Sequence, residues 1–280
     1  MWHVRSCSPG RASKGEFDIQ WRSPKLIESG VVCRVESYNL AYFSMPDTND
    51  SLEHGQHSVF WHPDPFVVDP IPPVPPLTAN KAVIVEQPVS TVLVMVQWQG
   101  PGAHADPAAT YAADVFSDVL NQPGSRFQRA LVDSGLWQSL IVNYYTLNQV
   151  GPITISGEVA PDKLREAIAA LDRELGEVVK PGYISTDAVN SVKQTRIVGT
   201  MESLERASGF AHELGFWWAV TGMDYFFGYN DTMAKQTPDD LRRYATRYIL
   251  GRPRVTGVLL SPETRKTIGL TEAELTGGTP

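Results

Sequence analysis

Cysteine is scarce in this sequence: the 280 residues contain only two, Cys7 and Cys33. Two cysteines cannot form the disulfide framework of a small secreted domain, and two free thiols are the simpler interpretation. Basic residues are also few, since 24 Lys and Arg stand against 31 Asp and Glu, for a net charge of −7. Because nucleic acids and anionic membranes are bound by basic surfaces, neither is expected as a partner.

Long apolar runs are absent as well. No stretch is long and apolar enough for a transmembrane helix, and the N-terminal residues lack the apolar centre of a signal peptide. The sequence therefore predicts no membrane span and no export signal, and it leaves the compartment open. Apolar residues make up 42% of the chain, which is ordinary for a globular protein with a buried core.

Catalytic motifs of the common peptidases and hydrolases are missing. Neither His-x-x-Glu-His nor His-Glu-x-x-His occurs, and the nearest pair, His212-Glu213, has Phe216 and Trp217 where a second histidine would be needed. We interpret His212 as a structural histidine on a helix. No Gly-x-Ser-x-Gly elbow and no glycine-rich phosphate loop is present either. The sequence thus predicts no catalytic residue, and no metal or cofactor bound by this chain.

A looser histidine cluster keeps one alternative open. His54, His57 and His62 lie close in sequence to Glu53 and Asp64, and imidazoles with carboxylates suit zinc or nickel. Their spacing matches no single helical face, so a bound metal is not the favoured interpretation. An independent metalloenzyme that uses these three histidines is retained as an alternative function.

The composition divides the chain into four parts. Residues 1–57 show no sustained periodicity and are predicted to be an atypical segment, disordered or non-native. Residues 58–80 form a connector whose seven prolines between Trp61 and Pro76 favour an extended conformation. Residues 81–262 carry regular patterns and form the predicted domain, and residues 263–280 are a tail.

Alternation and helical periodicity in residues 81–262 predict an α+β fold. Strand-like runs occur in neighbouring pairs and helical patterns in series, which indicates an antiparallel sheet with helices packed on one face. The aromatic residues Tyr225, Phe226, Phe227 and Tyr229 are interpreted as core packing rather than as a ligand platform. The predicted strands are residues 82–86, 91–98, 136–147, 153–159 and 255–260, and the predicted helices begin at or near residues 107, 127, 162, 185, 203 and 238.

Short motifs in both halves of this domain resemble a known family. In order and spacing they are similar to the second domain of insulinase (pitrilysin) family metallopeptidases. In that domain a strand ending near Gly-Pro leads into a helix, and a Ser-Arg-Leu/Phe helix leads to a long strand. The resemblance covers residues 61–262 and includes the proline connector. The motifs are Gln99-Gly100-Pro101, Asp106 to Leu120, Ser125 to Val132, Met201 to Glu205, Gly222 to Tyr225 and Thr237 to Leu241.

The resemblance implies a metallopeptidase-chamber (processing-peptidase-like) α+β domain. In that family the zinc site, with an inverted His-x-x-Glu-His motif, lies on an earlier domain, while later domains shape the chamber and hold the peptide. The chain is therefore expected to be a non-catalytic C-terminal domain or subunit that is inactive alone. Zinc is expected only in a partner subunit or domain, and the substrate is expected to be a peptide. A purely structural subunit of a larger complex is the first alternative.

The family's substrate-holding residues are not reproduced at their usual positions. An arginine and a tyrosine seven residues apart often hold substrate in the family's C-terminal half, and alignment on Gly135-Leu136 places Leu131 and Gln138 there. Residues 1–57 also depart from the family, whose domain begins with a strand and a helix, so we expect that they are not a true domain start. Nearby polar side chains are candidate substitutes for binding substrate: Arg126, Arg129, Tyr144 and Tyr145.

Overall fold

The computed structural model of the protein describes residues 72–277. The predictions for residues 1–57, and for His54, His57 and His62, lie outside the described residues. The strands β1 to β5 are Lys81–Glu86, Val92–Gln99, Ser139–Tyr144, Pro152–Val159 and Arg254–Leu260. The helices α1 to α9 are Pro107–Asn121, Arg126–Gln128, Leu164–Val178, Thr186–Leu204, Ala207–Val220, Met223–Met233, Pro238–Tyr248, Pro262–Ile268 and Glu272–Leu275.

The five strands form one sheet in the order β1-β5-β2-β4-β3. The neighbours β5-β2, β2-β4 and β4-β3 are antiparallel, whereas β1 and β5 run parallel. The predicted α+β class is therefore confirmed, and the sheet, predicted to be antiparallel, departs from this prediction in the parallel pair of β1 and β5. The structure adds that β1 and β2 are not neighbours, because β5 from the far end of the chain lies between them.

The two sides of the sheet have different surroundings. Along β2 the side chains of Val92, Val94, Val96 and Trp98 are buried, while the residues between them are partly or fully exposed. Successive residues of a strand point to opposite sides, so one side of the sheet faces the core and the other does not. Helix α1 packs against the core side through its apolar stripe, as the prediction of helices on one face requires. That stripe includes Val115, Phe116, Val119 and Leu120.

Helix starts that the sequence predicts are present in the structure. The side chain of Asp106 accepts a hydrogen bond from the Ala109 N–H at 3.3 Å, and Pro107 occupies the first position of α1. The side chains of Thr237 and Asp240 form a reciprocal capping box at the start of α7. Both patterns satisfy backbone N–H groups that lack partners within the helix.

Three elements differ from the sequence expectation. Strand β3 covers residues 139–144 rather than 136–147, and residues 223–233 form the helix α6, for which no helix is predicted. Residues 263–280, interpreted as a tail, contain most of α8 and all of α9. None of the helices within residues 72–277 combines the length and the apolar character needed to cross a bilayer.

Candidate functional site

The side of the sheet opposite to the helices carries both apolar and polar side chains, and we call it the outer sheet face. The strand register places its side chains in rows that cross the sheet, because residues paired between strands point to the same side. One row runs from Val83 through Gly257, Met95 and Ser156 to Ile141. The apolar members of the outer sheet face are Val83, Val85, Leu93, Met95, Ile141, Val255 and Leu259.

These apolar side chains are open to solvent to a degree that is unusual for a sheet. Val83 is 50% exposed, Met95 is 49% exposed and Ile141 is 59% exposed. Single exposed apolar residues are common on soluble proteins, but a contiguous patch indicates a surface that contacts another molecule. The outer sheet face is therefore the first candidate for a binding surface on the described residues.

A segment of the chain itself lies against one end of this face. Residues 73–77, which we call the strap, contain no helix or strand and are held by glutamine side chains. The Val74 N–H donates to Gln149 Oε1 at 2.9 Å, and the Leu77 N–H donates to Gln99 Oε1 at 2.7 Å. Gln99 also donates from Nε2 to the Pro75 carbonyl at 2.9 Å. The side-chain amides of Gln99 and Gln149 thus bind the backbone of the strap, which is not part of a strand.

A small, open pocket lies between the strap and the sheet, beside the apolar rows. It has a volume of about 240 Å³ and is lined by Val74, Leu77, Gln97 and Val255 among others. Gln97 lies on the outer sheet face, where its Nε2 donates to Thr154 Oγ1 at 3.1 Å. The face therefore combines apolar rows with a polar row at one side.

Of the two candidate arginines, Arg126 is the first residue of α2 and Arg129 directly follows its last residue. The guanidinium of Arg126 lies 4.6 Å from the centre of the Tyr183 ring and 3.4 Å from Glu177 Oε2. Arg129 is exposed. Arg126 is thus attached to the end of α3 and to the α3–α4 connection.

The candidate tyrosines occupy opposite sides of the chain. Tyr144 points into the core, where its hydroxyl donates to the Pro101 carbonyl at 2.7 Å, and burial raises the pKa of this hydroxyl. Tyr145 is half exposed, and its ring lies 5.6 Å from that of Phe216. The two arginines and two tyrosines contact different neighbours, so no contact brings the four together, and their role in substrate binding stays a prediction.

The two positions that the family alignment selects, Leu131 and Gln138, lie in different surroundings. Leu131 is fully buried in the core, whereas Gln138 is exposed and its N–H donates to the Glu158 carbonyl at 2.8 Å. A core leucine cannot exchange places with a substrate-holding arginine without loss of packing. The absence of the family pair is consistent with this arrangement.

A buried charged cluster joins three helices, and the sequence analysis does not anticipate it. Asp114 on α1 accepts a hydrogen bond from the Tyr229 hydroxyl on α6 at 2.6 Å. Arg196 on α4 donates to both carboxylate oxygens of Asp118, at 2.7 and 3.1 Å, and lies 3.8 Å from Asp114. Burial raises the pKa of the Asp114 carboxyl from 3.8 to about 6, although Arg196 and Tyr229 oppose this change. The only sequence signal is an aspartate within the apolar stripe of α1.

Aromatic rings cover the same cluster, in partial agreement with the prediction of core packing. Tyr225 stacks on Tyr111 with ring centres 4.8 Å apart, and Tyr229 lies 5.5 Å from Tyr111. Phe227, in contrast, is 70% exposed. Tyr225 and Tyr229 are thus packing residues, and Phe227 is not.

Metal ligation finds no support within residues 72–277. No three His, Cys, Asp or Glu side chains of this range are grouped as a metal site. His212 lies exposed on α5, and the neighbouring Glu213 carboxylate accepts a hydrogen bond from Trp217 Nε1 at 2.8 Å.

The fold and the outer sheet face define the class of this protein. It is an open-faced α+β domain with helices on one side of a five-stranded sheet. The family described as peptidase M16 inactive domain matches residues 40–196, more than half of the chain. The chain belongs to this family and is a non-catalytic peptidase-like domain. The resemblance to the later, zinc-free domain of insulinase-type peptidases is thereby confirmed.

Solved structures share this fold at low sequence identity. A protease from Helicobacter pylori has a TM-score of 0.58 and 18% identity, over 68% of this chain and 46% of that chain. The peptidase M16 inactive domain from Pseudomonas fluorescens has a TM-score of 0.54 and 14% identity, over 65% of this chain and 44% of that chain.

An inactive peptidase domain from Bordetella parapertussis has a TM-score of 0.55 and 18% identity, over 62% of this chain and 92% of that chain. The match thus spans less than half of the H. pylori and P. fluorescens chains. Comparison with curated proteins gives no significant match.

Proposed function

We propose that this chain is the non-catalytic C-terminal domain or subunit of an insulinase-type zinc metallopeptidase. In this proposal it shapes a peptide-binding chamber beside a zinc-bearing partner. The zinc and the carboxylate that moves the proton of its bound water belong to that partner. This chain contributes a wall that contacts the peptide.

The outer sheet face is the observation that carries the proposal. A wall of a peptide chamber must offer apolar contacts and hydrogen-bonding groups to a chain whose sequence varies. The face offers both, since Leu93, Met95 and Val83 form its apolar rows and Gln97 and Thr154 belong to its polar row. Family membership supports the pairing with a catalytic domain.

The test measures cleavage of a fluorogenic peptide by a zinc-bearing M16 subunit encoded beside this chain, with and without the chain. We expect the purified chain alone to leave the peptide intact. Adding it to the zinc-bearing subunit should raise turnover, and a chelator should abolish that turnover. A stable complex with no rise in turnover would contradict the proposal and favour the alternative, a purely structural subunit.

A pair of matched variants locates the effect on the outer sheet face. Met95→Asp places a charge in the centre of the apolar rows and should lower the stimulation of turnover by about fivefold. Val198→Asp changes an exposed apolar residue of α4, which is 52% exposed and lies on a helix rather than on the sheet. Equal losses in the two variants would show that the outer sheet face has no special role.

A further inference from the structure

Gly257 lies in the middle of strand β5, where no contact with residues 72–277 requires a glycine. Glycine within a strand weakens it, because it packs no side chain and gains freedom in the unfolded chain. A strand glycine therefore indicates a bulge, a bend or a place where another backbone or a ligand approaches closely. The register through Gly257 is regular, with Val83 on β1 and Met95 on β2 as its neighbours.

Other glycines near the sheet are explained by this chain's own atoms. A Cβ on Gly100 would lie 2.6 Å from the Gly151 carbonyl oxygen, and one on Gly157 would lie 2.0 Å from the Ser139 carbonyl oxygen. Among residues 72–277, a Cβ on Gly257 would meet only the Met95 carbonyl oxygen, at 3.8 Å, which is an ordinary contact. Within this part of the chain the space above Gly257 is therefore open, and packing does not require a glycine at this position.

The open space is a depression with apolar sides on the outer sheet face. Val83 and Met95 stand on either side of Gly257 in one row, and Leu259 follows two residues along β5. Neighbouring strands lie about 4.8 Å apart, so the gap between the two flanking side chains is wide enough for one aliphatic side chain. The charged residues of these rows are Lys81, two residues before Val83 on β1, and Glu158 on β4.

An extended backbone is the occupant that the adjoining surface indicates. The strap already lies against the same face, where Gln99 binds its backbone through both the amide oxygen and the amide nitrogen. The strap thus shows that this surface holds extended chain by side-chain amides, and the depression at Gly257 continues the same face next to Val255.

We propose that the outer sheet face binds an extended peptide segment with one aliphatic side chain seated over Gly257. The inference rests on the proposed function, because it takes a peptide as the ligand of this face. It adds the class of segment that is bound, which is extended, uncharged at its centre and aliphatic at one position.

The test is direct binding to the full chain, without any partner. The probes are two labelled nonapeptides of alternating serine and threonine, one with a central leucine and one with a central aspartate, and the readout is fluorescence anisotropy. We expect the leucine peptide to bind about tenfold more tightly than the aspartate peptide. Gly257→Val should fill the depression and weaken binding of the leucine peptide by about tenfold.

The matched control is Thr256→Val, which introduces the same residue one position earlier in β5. Thr256 points to the core side, and its buried hydroxyl has no hydrogen-bond partner among the described residues, so the change should preserve the fold. Peptide binding should be unchanged in this variant. Circular dichroism and thermal unfolding establish that both variants are folded.

Four outcomes overturn the proposal: no binding of the leucine peptide, equal binding of the two peptides, unchanged binding in Gly257→Val, or unfolding of that variant. A further overturning result is self-association that covers the face, seen in sedimentation and lost in Met95→Asp. The proposed function is tested by a different result, the turnover with the zinc-bearing subunit. If turnover with the zinc-bearing subunit does not rise while peptide binding follows Gly257, only the chamber role is lost.

Discussion

Asp114 is a carboxylate held between three helices and shielded from water. It is 8% exposed and lies on α1, facing Arg196 on α4, Tyr229 on α6 and the neighbouring carboxylate of Asp118. Desolvation disfavours the charged form, and it outweighs the attraction of Arg196. The folded chain therefore binds a proton at Asp114 more tightly than the unfolded chain does.

The pH dependence of stability follows from this difference. Since the pKa rises from 3.8 to about 6 on folding, the proton stabilises the folded state as the pH falls from 7 to 4. Over this interval the gain is roughly 2 kcal/mol, because at pH 4 the carboxyl of the unfolded chain is itself partly protonated. Asp114→Asn removes the titrating group. The difference in the free energy of unfolding, wild type minus variant, should therefore increase by this amount as the pH falls from 7 to 4.

Urea unfolding at several pH values measures the difference, and Asp133→Asn serves as the control. Asp133 is an exposed aspartate on the segment after α2, so its removal should leave the pH profile nearly parallel to that of the wild type. A pH-independent difference for Asp114→Asn would show that the buried carboxyl does not titrate in this range.

The sequence could not predict this cluster at the residue scale. Asp114 and Arg196 are 82 positions apart along the chain, and nothing local indicates that α4 brings the guanidinium to α1. The same limit applies to the outer sheet face. The alternation of Val92, Val94 and Val96 with Leu93 and Met95 predicts β2, but which side the helices cover depends on the whole fold.

Element boundaries follow the sequence where a local interaction fixes them. Helix α7 begins where Thr237-Pro238-Asp239-Asp240 predicts, because the capping box needs only residues within one turn. Strand β3 is shorter than its β-forming composition suggests. The Trp137 indole N–H donates to the Ala167 carbonyl at 3.1 Å, away from the sheet, and Pro152 on the facing strand has no N–H to extend the ladder.

Helix α6 shows the opposite case, in which tertiary packing overrides local preference. Its aromatic residues and Gly228 favour a helix weakly, so the sequence gives little reason to expect one. Tyr225 and Tyr229 lie one turn apart and both pack against Tyr111 on α1. The helix is therefore specified by its contact with α1, which a single-segment pattern does not contain.

The capping box of α7 should contribute measurably to stability. Thr237→Ala removes the hydroxyl that accepts from the Asp240 N–H at 3.3 Å, and it leaves the helix start without this partner. We expect a loss of about 1 kcal/mol in the free energy of unfolding, measured by urea denaturation. Thr246→Ala on the exposed side of α7 is the control and should be neutral or slightly stabilising. Equal effects in the two variants would exclude a specific capping contribution.

In the part of the chain that the structure describes, the helices cover one side of the sheet and leave its other side open. Within residues 72–277, β1 and β3 are the outermost strands. Edge strands with apolar side chains pair readily with other chains, and Ile141 on β3 is 59% exposed. A separate zinc-free domain with this surface is expected to require a partner or to associate with itself at high concentration.

A lysine on the edge strand should suppress that association. Ile141→Lys places a charge on the exposed side of β3 and should lower the concentration-dependent light scattering of the purified chain. The free energy of unfolding should change by less than about 0.5 kcal/mol, because the residue lies at the surface. Val198→Lys on α4 removes a similar exposed side chain from a helix. If it lowers the scattering equally, general apolar exposure rather than the sheet edge is responsible.

Proline placement in the strap fixes how far the chain can slide along the sheet. In the run Pro72-Pro73-Val74-Pro75-Pro76-Leu77 only the valine and the leucine have backbone N–H groups, and both are engaged by glutamine side chains. A slip of one residue that brings Pro73 and Pro76 to these positions would forfeit both bonds, and a slip in the other direction would bring Pro75 and Thr78 there and forfeit the bond to Gln149. The spacing of the prolines therefore fixes the position of the strap on the sheet. This position sets the length of chain between the strap and Lys81, and with it the pairing of β1 with β5.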